Sequence, residues 1–221
     1  MAGFATVLSY YVVLLNGLKI TIGLSVIMII GGLLVGTLTA CGLCIRSKSI
    51  PVRILKGIIR IYVGFFRGAP ILLLLFFGYY GIAYAGIELD IFTACSIVLI
   101  LYAGAYTCEI IRSGIESIPK GQWEAGYCVG MNGFDIMRFI IFPQAFRIFL
   151  PTVMGFYIGA IKDTSIVSLV GCNDIVKQSK IIINQTSLPM QTYLIIALIF
   201  FAISYPMSLL VTKLEKRRAH S

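Results

Sequence analysis

Apolar residues dominate five stretches of this chain, at residues 18–45, 58–80, 91–111, 152–171 and 189–211. A helix needs about 20 predominantly apolar residues to cross a bilayer, and inside lipid a helix satisfies its own backbone polar groups. The pattern therefore predicts an all-α integral membrane protein with five transmembrane helices. A sixth apolar stretch, residues 4–15, is too short to span by itself and is separated from the first run only by Asn16-Gly17. Residues 1–17 are expected as an N-terminal interfacial segment, or as an extension of the first span.

Between the third and fourth runs the pattern changes. Residues 113–150 are too polar to span and too long for a turn. Pro119 and Pro143 bracket a segment with Ala125, Val129, Ile136, Phe139 and Ile140 at helical spacing. Asn132-Gly133 is a turn signal. Two short helices are expected there, and a loop of this length in a compact protein is usually functional. Its small and amphipathic positions suit docking onto a soluble partner. Within the runs, Gly32/Gly36, Gly64/Gly68 and Gly155/Gly159 have the spacing that lets helix backbones approach closely in lipid.

Charge gives the orientation. Residues 46–60 carry Arg46, Lys48, Arg53, Lys56 and Arg60; residues 112–147 carry Arg112, Lys120, Arg138 and Arg147; the tail carries Lys213, Lys216, Arg217 and Arg218. These thirteen of eighteen basic residues fall in three alternate segments, whereas residues 81–90 hold the acids Glu88 and Asp90. The positive-inside rule then places the N-terminus outside and residues 212–221 in the cytoplasm as a basic tail. The net charge of +9 is thus accounted for by topology, and a nucleic-acid partner is not expected. The composition agrees: 59% hydrophobic and 12% charged, against about 45–50% and about 25% in soluble domains. Residues 1–15 lack the basic region and cleavage site of a removable signal peptide.

The candidate chemistry is sparse. Cys41-Gly-Leu-Cys44 has CxxC spacing, but there is no second pair, and the one histidine is His220. Zinc takes about four ligands, so the six cysteines read as packing residues and no metal site is expected. An intramembrane hydrolase would need a histidine or metal set inside the spans. No GxxxxGK[ST] loop exists to cradle nucleotide phosphates, so any energy from ATP must come from a partner.

At Glu124 the sequence becomes specific. Glu124-Ala125-Gly126, three residues, Gly130, nine residues, then Ile140-Ile141-Phe142-Pro143 resembles the EAA loop of importer permeases of the ABC transporter superfamily. Gly126 and Phe142 replace an alanine and a leucine of that pattern. Phe66-Arg67-Gly68-Ala69-Pro70, Gly104-Ala105-Tyr106 with Glu109 to Ile115, Ile118 to Ala125, Pro143-Gln144-Ala145-Phe146-Arg147 and Lys162-Asp163-Thr164-Ser165-Ile166 are similar to successive motifs of the polar amino acid uptake branch. The resemblance covers nearly the whole chain.

It implies an ABC-type transmembrane domain over residues 18–211, in a multi-pass protein of the bacterial plasma (inner) membrane. The chain itself would not be an enzyme and would hold no cofactor, Mg-ATP being held by a cytoplasmic ATPase dimer. Other implied partners are membrane lipid, a second permease chain, identical or related, and an extracellular or periplasmic substrate-binding protein. The cargo would be a polar L-amino acid, with cystine, an opine or another small derivative as the alternative.

Two sites follow. At the coupling loop, Glu124, Ala125, Gly126, Gly130 and Pro143 are expected to meet the ATPase, with Ala125, Gly126 and Gly130 keeping the helix thin and Glu124 favouring its dipole. In the fourth run, Lys162 and Asp163 interrupt apolar sequence, and an ionisable group at bilayer depth by default marks a pathway. Asp163 would take the cargo ammonium, and Thr164, Ser165 or Lys162 its carboxylate, with Phe156 and Ala160 lining the pocket. The other open reading is that Lys162 and Asp163 hold permease chains together by ion pairs. Arg67 is expected to pair or cap a helix, Lys19 to snorkel, and Glu109 with Arg112, three apart, to form a local ion pair.

Overall fold

The structure, a computed structural model, describes the backbone of residues 2–45 and 49–219 and the side chains of residues 3–45 and 49–213. Arg46, Lys48, His220 and the side chains of Lys216, Arg217 and Arg218 lie outside the described residues. Among the described residues all regular structure is helical. In chain order the helices are α1 (Ala2–Ser9), α2 (Tyr11–Cys44), α3 (Ile50–Gly68), α4 (Ile71–Phe76), α5 (Ile82–Tyr84), α6 (Ile91–Glu116), α7 (Lys120–Cys128), α8 (Gly133–Asp135), α9 (Phe142–Asp163), α10 (Val167–Val170), α11 (Ile175–Thr186) and α12 (Pro189–Ala219). Wide π turns at Phe77–Gly81 and Ile136–Ile141 join α4 to α5 and α8 to α9, and a 3-10 turn at Thr164–Ile166 joins α9 to α10.

Among the described residues, four helical runs are long and apolar enough to cross a membrane: α2, α6, Gly133–Val170 and Pro189–Lys213. A fifth arises if α3 and the run Ile71–Tyr84 count as one span, but these are bent by 110°. The apolar stretch 58–80 is therefore not a straight helix. Its break is local chemistry: Pro70 disfavours helical geometry at the residue before it, and Ala69 is extended, with φ −96° and ψ 142°.

Asn16-Gly17 does not interrupt the first long helix: α2 runs unbroken from Tyr11 to Cys44. Gly17 is a packing position: a Cβ there would lie 2.7 Å from the Cα of Ile175 at the start of α11. The Thr21 hydroxyl one turn on accepts the Ile175 N–H at 3.1 Å. Pro143 likewise does not end the second loop helix. It sits in the first turn of α9, directly after the π turn with which that helix is continuous.

The core is the crossing of α2, α6 and α9. The most extensive helix pairing is α2 against α6, made possible by Gly32 and Gly36. A Cβ on Gly32 would meet the Tyr157 hydroxyl at 2.6 Å and Ala103 Cβ at 2.7 Å; one on Gly36 would meet Thr107 Cβ at 2.5 Å and the Gly104 carbonyl at 2.8 Å. In that space the Thr107 and Tyr157 hydroxyls pair at 2.9 Å, buried. Gly64, Gly68, Gly155 and Gly159 have nothing within 4 Å, so these two stripes face away from the core. Leu34, Leu38, Ile61, Phe77 and Phe201 are exposed on the exterior, which lipid tolerates and water would not.

Candidate functional site

The predicted coupling segment folds as two pieces, α7 and the α8–π-turn unit. On α7, Glu124, Ala125, Tyr127 and Cys128 are exposed, whereas Trp123 and Gly126 are buried. Gly126 faces inward: a Cβ there would come within 2.6 Å of Ile136 Cγ1. Its smallness lets α7 pack on the π turn, and does not thin an outer surface as expected. Gly130 terminates α7 in left-handed geometry, with φ 80°. The Met131 N–H reaches the Gly126 carbonyl at 3.1 Å and the Gly130 N–H reaches Tyr127 at 3.0 Å, a Schellman cap that favours glycine. The exposed face of α7 thus includes Glu124 and Ala125, and Pro143 at the start of α9 is exposed as well. Gln122 Oε1 accepts from Gln144 Nε2 at 3.4 Å, tying α7 to the start of α9.

The fourth-run candidates divide. Lys162 and Asp163 are exposed at the end of α9, and among the described residues neither forms an ion pair within the chain. Thr164 and Ala160 are turned into the core, at 1% and 2% exposure. The Thr164 hydroxyl donates to the Ile161 carbonyl at 2.7 Å and that of Ser165 to Lys162 at 2.8 Å, so both hydroxyls are satisfied by their own helix. The expected Asp163–Thr164–Ser165–Lys162–Ala160 pocket does not converge, because consecutive residues on a tightening helix point to different sides. Phe156 is half-buried and stacks on Tyr106, ring centroids 5.1 Å apart and planes 10° apart, with Tyr102 at 6.4 Å.

That aromatic stack leads to polar groups whose grouping the sequence left open. Arg67, in the last turn of α3, lies over the same Tyr106 ring at 5.5 Å and 3.5 Å from Glu109. Glu109 is held by Arg112 through two contacts, Nε to Oε2 at 2.9 Å and Nη2 to Oε1 at 2.6 Å, and Arg112 also binds Glu116. The expected Glu109–Arg112 pair is present, and Arg67 pairs as expected. Motif spacing marked Arg67, but only the fold brings its α3 end to α6. Lys19 is exposed on α2. Of the cysteines, Cys95, Cys108 and Cys172 are buried, whereas Cys41 and Cys128 are exposed.

At the opposite end of the bundle from α7, the connection between the fourth and fifth spans contains Asp174, fully buried. Its Oδ1 accepts the Lys177 N–H at 2.9 Å, capping α11, while Oδ2 has no partner among the described residues. Burial pushes its carboxyl up to about 6, against the backbone N–H groups of Lys177 and Val176.

The family described as "Binding-protein-dependent transport system inner membrane component" matches residues 32–220. The "Probable amino-acid ABC transporter permease protein YckA" of Bacillus subtilis (strain 168) is 34% identical over 206 residues, 93% of this chain and 89% of that protein. The "L-cystine transport system permease protein TcyB" of the same organism is 35% identical over 210 residues, 95% and 88% of the two chains. A chain of the solved structure "Crystal structure of an amino acid ABC transporter with histidines" superposes with a TM-score of 0.88 at 32% identity, covering 97% of this chain and 98% of that one.

Proposed function

The chain belongs to the family of binding-protein-dependent transport system inner membrane components, and from that membership we propose that it is the permease subunit of an ATP-driven importer for a polar L-amino acid. Relatives described as amino-acid, cystine and glutamine permeases support the cargo class, and cystine is the alternative the TcyB likeness favours. On this reading the chain has five spans, with the N-terminus outside, the C-terminus in the cytoplasm and the bacterial plasma membrane as location; the basic-residue pattern supports the orientation and the family description the membrane. Mg-ATP sits on a partner ATPase dimer, a second permease chain completes the pathway, and an external binding protein delivers the cargo.

The observation that carries this reading is the exposed Glu124–Ala125 face of α7, held by the Gly126–Ile136 contact and the Gly130 cap. A short rigid helix at one end of the bundle transmits a push, whereas a loop would absorb it. Glu124 is the middle residue of α7, beyond its first turn, so the helix dipole expected to favour it acts only weakly there. Ala125→Trp tests it: the exposed position accepts bulk, so the protein reaches the membrane, and uptake with ATPase capture is lost at least about tenfold, the scale of a centrally placed clash. Normal capture and uptake by that variant would remove α7 from coupling.

A further inference from the structure

We propose that Arg67, backed by Glu109 and Tyr106, is a carboxylate-binding station at the α7-facing end of the translocation path, distinct from the Lys162–Asp163 neighbourhood. The inference rests on the transport reading above. A cavity of about 350 Å³ opens beside it, walled by Arg67, Tyr106, Glu109, Ser113, Ser117 and Thr152 from the end of α3, α6 and α9.

Arg67 is the underused cation of its cluster. Both Glu109 oxygens are already committed to Arg112 at 2.6 and 2.9 Å, and the Arg67 contact shares one of them at a long 3.5 Å. A guanidinium has five N–H donors in a planar fork that matches a carboxylate. Glu109 on one edge and the Tyr106 face below fix that fork, and its side chain remains 40% exposed toward the cavity. A guanidinium oriented from two sides, with donors to spare, is built to meet an anion that comes and goes.

The spacing gives the station a place in the path. Thr152 and Asp163 lie eleven residues apart on α9, roughly 16 Å at the helical rise. The Phe156–Tyr106 stack lies between. An amino acid leaving Asp163 would pass an aromatic surface and then present its carboxylate to Arg67, where the long, shared ion pair makes the hold weak enough to release.

The test uses the complete importer with its ATPase, carrying Ser113→Cys in a chain whose Cys41, Cys44 and Cys128 are serine. Labelling of the new thiol by a small methanethiosulfonate is followed with acetate, L-glutamine or L-glutaminamide present at millimolar concentration. Acetate and L-glutamine are expected to slow labelling in a saturable way, by about tenfold once either stands at about nine times its dissociation constant, and the amide to leave it unchanged. Arg67→Gln abolishes the protection and Arg67→Lys keeps part of it. Protection by the amide equal to that by L-glutamine, protection surviving Arg67→Gln, or none from any carboxylate would overturn the station. Uptake by the parent importer is measured in parallel: with uptake intact, those results sink the station alone, whereas absent uptake sinks the transport reading beneath it.

Discussion

Asp174 is an aspartate without solvent and with half its carboxylate unpaired. A buried carboxyl resists ionisation, and here the pKa rises from the ordinary 3.8 to about 6. The charged groups nearest are Lys177, whose ammonium is drawn instead to the Gly171 carbonyl at 2.6 Å, and Lys180, which partly opposes the rise. A raised carboxyl pKa means the folded chain holds the proton more tightly than the unfolded one. Its stabilising contribution is complete below pH 3.8 and is lost as pH rises through about 6, a difference on the order of 3 kcal/mol at neutral pH. Asp174→Asn keeps the Oδ1 cap and removes the charge. Thermal unfolding in detergent is expected to show the wild type losing ground to this variant between pH 4 and pH 7; parallel curves across that window would place the carboxyl in contact with water.

At the scale of elements, glycine pairs that look alike in sequence have different roles. Gly36 abuts a branched side chain and a backbone carbonyl, neither of which can yield cheaply, so Gly36→Ala overpacks the α2–α6 crossing and costs about 1–3 kcal/mol. Gly159 faces open space, so Gly159→Ala leaves the chain as stable or raises it by up to about 1 kcal/mol through helix propensity. Melting of the two variants in the same micelle distinguishes them, and equal melting temperatures would refute the assigned crossing. Spacing alone could not separate these pairs, because a small-xxx-small stripe says that something approaches and leaves open what. The same limit explains Gly126. Its place in the EAA-like motif was legible, but its inward aim depends on where the π turn carries Ile136. The apolar runs themselves were legible because bilayer thickness sets a length that composition can meet. The 110° bend was written in Ala69-Pro70, yet a hydropathy window averages across the break and is blind to it. Asn16-Gly17 left two readings open, and the helix runs through it, because a helix in lipid keeps its hydrogen bonds through residues that would end one in water.

Across the whole molecule, three sets of charged residues are spread along the bundle. Buried Asp174 marks one end, Lys162 and Asp163 stand at the end of α9, and the Arg67–Glu109–Arg112–Glu116 chain lies toward α7. The fourth-run residues were legible as unusual because charge in an apolar run is rare. That Thr164 and Ala160 would turn inward was not, because the tightening after Asp163 is a matter of packing. Under the proposed reading, the exposed α7 face takes its drive from an ATP-hydrolysing partner. The most direct test is reconstitution of the purified chain in lipid vesicles with and without an ATP-hydrolysing partner and a binding protein, following radiolabelled L-glutamine and L-cystine. Concentrative uptake of one of them only with the partner and ATP is expected. Concentrative uptake by the chain with no nucleotide-hydrolysing partner present would contradict it.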